Sequence, residues 1–90
     1  MKNIVIDFTG CNHVQEVHLI IKEKLEFPDW YGENIDALWD LLTGYIDPCD
    51  IYLEGCQSVA PDLIPYIKKI KNIFIKAAQE YHELKVDIYD

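Results

Sequence analysis

Positive charge is what this sequence most lacks. Eight basic residues stand against sixteen acidic ones in a chain of ninety, a net charge of −8, with an isoelectric point near 4.6. Binding nucleic acid requires Lys and Arg to neutralise phosphates, so no nucleic-acid ligand is expected. The same balance suits a cationic partner, or solubility alone. Cysteine is also scarce. Cys11, Cys49 and Cys56 are odd in number and form no CxxC pair. That points away from a disulfide framework and towards buried thiols in a reducing cytoplasm. No apolar run approaches the length of a membrane span. Met1 leads directly into a strand pattern, with no targeting peptide in view. None of the four glycines belongs to a phosphate-cradling loop, and no nucleophile elbow or Ser-His-Asp arrangement is present. Cys11-x-His13 and the His13–His18 spacing do not match a zinc site. Neither metal nor cofactor is expected, and no catalytic residue is assigned. Internal repeats, low-complexity segments and linkers are absent.

What is present is apolar patterning. Half of the residues are hydrophobic, enough for one packed domain over residues 1–90, near the size where a single core just suffices. Asn3 to Phe8 reads as a strand. Val5 is apolar between Ile4 and Ile6, so burial on both faces is expected rather than an edge position. After the Thr9-Gly10 break, Asn12 or His13 can cap a helix running to about Leu25. Val14, Val17, Ile20, Ile21 and Leu25 form its core stripe, and Glu16, Lys22, Glu23 and Lys24 face water. His18 is expected at the boundary of that helix. Pro28 halts the helix, and Gly32 permits a positive φ in the loop that follows.

A second helix is expected from about Asn34, a good N-cap, to Thr43. Gly44 is its C′ stop, and Pro48 prevents resumption. Ile51 to Leu53 is a second strand. Gly55 to Ala60 is an irregular turn or a brief helix. Pro61 opens a first helical turn, and Pro65 is tolerated in the first turn of a long last helix. Ile64, Ile67, Ile70 (or Lys71), Phe74 and Ala77 carry that helix to about Tyr81. Leu84 to Tyr89 is the last strand. The order β-α-α-β-α-β predicts an α/β fold with a small parallel sheet, its crossovers helical and right-handed.

The densest signal is Phe27 to Tyr45, FPDWYGENIDALWDLLTGY. On the second helix Ile35, Leu38, Leu41 and Leu42 share one face, and Asp36, Trp39, Asp40 and Thr43 share the other. The second face places an aromatic beside two acids one turn apart, and like charges at that spacing weaken a helix by about a few tenths of a kcal/mol. The placement is explained by use in binding, or by a solvated acidic face with a half-exposed Trp. Catalysis fits poorly, because a working carboxylate pair needs two different environments. Exposed aromatics beside charges are the vocabulary of binding hot spots. In the preceding loop, one of the adjacent rings of Trp30 and Tyr31 should cover the core edge, and this is assigned to Tyr31.

YGEN, then IDALWD, then LTG and an aromatic resemble the barstar family, intracellular inhibitors of the small secreted ribonuclease barnase. Chain length, the opening strand, the first helix and a late FxxA helix extend the likeness over most of the chain. The resemblance implies a three-stranded parallel sheet with three to four helices, and a protein that covers a nuclease active site rather than a catalyst. It implies partner contacts by Trp30, Gly32, Asn34, Asp36, Trp39, Asp40, Thr43, Gly44 and Tyr45, with Asp40 the central anchor. Trp30 stands where the family commonly has Tyr, and Tyr45 where it has Trp. Asn34 matches a contact position but also serves as a cap. On the last helix the family has an acidic contact residue. If Phe74 and Ala77 set the register, that position is Lys76, and the nearest acid is Glu80, one turn on. Either the register shifts, Glu80 substitutes, or the partner is a different nuclease. The expected partner is a small basic, barnase-like ribonuclease, bound by a cytoplasmic protein that is monomeric when free. The alternative is a different cationic protein or toxin domain.

Overall fold

The computed structural model describes residues 2–89. Met1 and Asp90 lie outside the described residues, and with them the expectation attached to Met1. Three strands form one parallel sheet in the order β1-β2-β3: β1 Lys2–Asp7, β2 Cys49–Glu54 and β3 Leu84–Tyr89. Helices α1 (Val14–Lys24) and α2 (Ile35–Gly44) connect β1 to β2. A short 3-10 turn, Pro61–Leu63, runs into α3 (Ile64–Glu80), which connects β2 to β3. The register is in step across the sheet, with Ile4 opposite Ile51 and Ile51 opposite Val86.

This strand order decides which face is covered. Both crossovers step sideways in the same direction. Right-handed crossovers that never reverse direction place every helix on one face of the sheet. Residues facing the helices are therefore buried: Ile6, Cys49, Ile51, Leu53 and Leu84. The opposite face carries Asn3, Val5, Asp7, Tyr52, Asp87 and Tyr89, and Val5 is 45 % exposed. The expectation that β1 is covered on both faces is thus corrected, because β1 is an edge strand with one face in water. Val5 reads as core only when chain direction and strand order are ignored.

The core lies between the sheet and the three helices. Val17, Ile21 and Leu25 come from the α1 segment, Leu38, Leu41 and Leu42 from α2, and Ile67, Ile70, Phe74 and Ala77 from α3. Each such large side chain contributes about 1.5–3 kcal/mol when removed from water. Ile70, not Lys71, holds the core position of its turn. Val14 is exposed, and the completely buried His18 occupies the same stripe one turn later. Glu16, read as a solvated residue, accepts hydrogen bonds from the backbone N–H groups of Asn12 and His13, both at 2.9 Å. It thereby ties down the start of α1, where orphan N–H groups need acceptors. Cys11, Cys49 and Cys56 are buried and none of them is in a disulfide, and burial pushes the Cys11 and Cys49 thiols up from their ordinary range.

Candidate functional site: the α2 face and its loop

The site begins at Asn34. Its Oδ1 accepts the N–H of Ala37 at 2.8 Å, and its Nδ2 donates to the Gly32 carbonyl at 3.2 Å. One side chain therefore starts α2 and clips the preceding loop onto it. Gly32 is needed here for proximity, because a Cβ would lie 3.2 Å from Asn34 Nδ2 and 3.3 Å from Ala37 Cβ. The positive φ expected at Gly32 falls instead on the next residue, Glu33, at 54°. The turn into the N-cap is made one residue later than the glycine suggested.

The loop is held from below by rings. Tyr31 is 3 % exposed, and its hydroxyl lies 2.7 Å from Nδ1 of His18 on α1. On the other side of the imidazole, Nε2 lies 2.5 Å from the hydroxyl of Tyr66 on α3. His18 therefore sits in mid-helix and pins three segments together, which corrects its expected place at the boundary of α1. A neutral imidazole donates from one nitrogen and accepts at the other, and the two hydroxyls complement it in either tautomer. Phe27 packs edge-on to Tyr31, and Tyr45 packs edge-on to both Phe27 and Trp30. This ring series runs from the buried imidazole to the surface, where Trp30 is 71 % exposed. Trp30 is thus a solvent-facing ring on a braced loop.

Burial lowers the tendency of His18 to protonate, while the nearby charge of Glu33 pulls the other way but weakly. The folded value thus lies below the ordinary 6.5 of an exposed histidine. Well above 6.5 both folded and unfolded chains are neutral at this residue, and its contribution to stability is complete. As pH falls below 6.5 the unfolded chain takes up the proton first, so stability declines towards the folded value. Urea titrations from pH 8 to pH 5 are expected to show this decline, and a His18→Gln variant should flatten it. A wild-type midpoint that stays level through that window would remove His18 as the cause.

The outward face of α2 is acidic. Asp36 and Asp40 are exposed one turn apart, with Trp39 half-buried beside them. Among the described residues neither carboxylate has a cation within 4.0 Å. The Thr43 hydroxyl donates to the Trp39 carbonyl at 2.7 Å, bending its side chain back on the helix. Gly44 is an exposed last helical residue rather than a C′ stop with positive φ. The helix ends where the Tyr45 and Ile46 N–H groups both turn onto the Leu41 carbonyl, before Pro48 makes continuation impossible.

From α3, Lys76 places its Nζ 5.4 Å from the centre of the Trp39 ring, a cation–π contact worth about 0.5–1 kcal/mol at an exposed site. Ile35, Asp36, Trp39, Asp40, Ile73 and Lys76 line a shallow hollow of about 290 Å³ between α2 and α3. The fold thus gathers Asp36, Trp39, Asp40 and Lys76 at the hollow, and Trp30 and Tyr45 in a neighbouring aromatic pair. Glu80 is exposed on the last turn of α3 and does not line the hollow. His18, Tyr66 and Ile73 were not singled out as supports of the site. His18 does fall on the apolar stripe of α1, four residues after Val14 and three before Ile21, and that spacing was the available signal. Among the described residues no cluster of His, Cys, Asp and Glu could hold a metal ion, and no helix is long and apolar enough to cross a membrane.

Two comparisons bear on this arrangement. Residues 1–89 match the sequence pattern of the family described as Barstar (barnase inhibitor). A protein of Bacillus subtilis (strain 168) named "Putative ribonuclease inhibitor YrdF" is 36 % identical over 81 residues, covering 89 % of this chain and 89 % of that protein. The match takes in the parallel sheet, the braced loop and the acidic face of α2 together, and the chain belongs to the barstar family.

Proposed function

We propose that this protein is a stoichiometric inhibitor, an immunity protein, of a small basic ribonuclease. The observation that carries the reading is the α2 face, where two exposed carboxylates, without an ion-pair partner among the described residues, flank a half-buried Trp39. A nuclease must hold cations where it binds the phosphates of RNA. Asp40 is the anchor that meets them, with Asp36 as its neighbour, through charge-assisted and often bidentate hydrogen bonds. Trp30 and Tyr45 add a rigid aromatic contact beside them, and Gly32, Asn34, Thr43 and Gly44 form the backbone frame. The helix and its loop then occupy the active site and exclude RNA. The protein performs no chemistry, needs no cofactor, is monomeric when free and works in the cytoplasm. The family match and the name of the B. subtilis relative support this reading. Titrated into RNA-cleavage assays, the protein should abolish activity near one-to-one stoichiometry with its nuclease. Failure against a broad panel of microbial ribonucleases, including any encoded beside it, would favour a different cationic protein or toxin domain as the target.

The net charge of −8 should steer a basic nuclease from a distance. Stopped-flow association is expected to slow steeply between low and physiological salt, while dissociation changes little. A salt-insensitive association rate would assign the charge to solubility alone.

A further inference from the structure

One cation interrupts the acidic face. Lys76 lines the hollow between α2 and α3 together with Asp36 and Asp40. Two carboxylates are within the same wall, yet its ammonium forms no ion pair within 4.0 Å with either of them. It rests over the Trp39 ring instead. A ring quadrupole orients an ammonium but carries no net charge to cancel it. Lys76 is exposed, so its charge is both directed and available. The hollow therefore presents two negative groups and one positive group, carried on two packed helices. A surface that matches it must present the inverse pattern, because facing potentials pair by opposite sign and like charges set opposite each other reject a partner.

We infer that Lys76 is a specificity-determining residue: it selects a nuclease that presents a carboxylate opposite the hollow, beside the cations that meet Asp36 and Asp40. The inference rests on the inhibitor reading and deepens it. A nuclease with a second cation at that place would face an ammonium that cannot withdraw without leaving the Trp39 ring. One with a carboxylate there would gain an ion pair on an ammonium already oriented.

The test uses a ribonuclease that the wild-type protein inhibits. Affinities of Lys76→Arg, Lys76→Met and Lys76→Glu are measured at low and physiological salt, with thermal melts as a folding control. Lys76→Arg keeps affinity within about threefold, Lys76→Met loses roughly tenfold and Lys76→Glu at least roughly a hundredfold, with larger losses at low salt, as expected for a close charge pair. One acid-to-lysine change on the nuclease surface should then restore binding of the Lys76→Glu variant. If Lys76→Glu binds as tightly as wild type or tighter, Lys76 faces water or a cation and the inference is overturned while the inhibitor reading stands. If the wild-type protein inhibits no ribonuclease, the inhibitor reading fails and the inference falls with it.

Discussion

Asp40→Ala is expected to weaken the complex with the target nuclease by about 2–5 kcal/mol or more, and to leave the free protein folded. The range is that for truncating one member of a buried, hydrogen-bonded charge pair, and it draws partly on barnase–barstar itself. Most of the loss comes from nuclease cations left buried without an anion. In the free protein Asp40 is exposed and has no ion-pair partner among the described residues, so truncation breaks no ion pair. It removes the repulsion from Asp36 one turn earlier, worth about a few tenths of a kcal/mol. Asp36→Ala should also weaken binding. Its effect on the free protein differs, because Asp36 lies in the first turn of α2, where a carboxylate complements the positive end of the helix. That loss offsets the relief of repulsion and leaves the melting temperature nearly unchanged. The two binding losses should not add, since both carboxylates approach one set of cations. The signature is thus a large loss of affinity with an equal or slightly higher melting temperature for Asp40→Ala. An Asp40→Ala protein that melts early but keeps its affinity would show that the acid is structural and that the inhibitory face lies elsewhere.

His18→Ala is expected to do the reverse: to lower stability by roughly 3–5 kcal/mol, combining a cavity with polar groups left unpartnered. His18 is completely buried, as Tyr31 nearly is. Without the imidazole the Tyr31 hydroxyl has no partner in its site, and the Tyr66 hydroxyl loses its bond to α1. The expected loss is a large part of the net stability of a domain this size, about 5–15 kcal/mol. Tyr66→Phe should cost less, about 1–3 kcal/mol, because it leaves no large cavity but removes the partner of the buried His18 Nε2. Urea unfolding followed by tryptophan fluorescence measures both. Where His18→Ala is still folded, its affinity should fall less than that of Asp40→Ala, since the ring series braces Trp30 but does not touch the nuclease cations. A His18→Ala midpoint within the error of wild type would show that the Tyr31–His18–Tyr66 bridge does not hold the loop.

The contrast between these residues shows what could be read in one dimension. Asp36 and Asp40 were legible because helical periodicity separates them from Leu38, Leu41 and Leu42 without any tertiary knowledge. Asn34 was legible as a cap because capping is local chemistry between residues three apart. Tyr31 was assigned to the core edge because two adjacent exposed rings are costly, and its burial agrees. Errors arose where a residue type's commonest use was assumed, or where its role depended on something distant. Gly32 was given a positive φ because that is glycine's commonest use, whereas its smallness serves the approach to Ala37. Gly44 was read as a stop for the same reason. Val14 and His18 exchange roles on α1 because the partner of His18 is Tyr66, forty-eight positions away.

By itself, then, the sequence determined the elements, their order, the parallel sheet that helical crossovers require, and the acidic–aromatic face of α2. Each follows from local propensity, from periodicity or from the stereochemistry of connections. Only the tertiary structure decided which face of the sheet stays in water, because that depends on strand order as well as handedness. It alone placed Lys76 over Trp39 and joined His18 to Tyr66, since those contacts form between helices whose mutual packing no local pattern encodes.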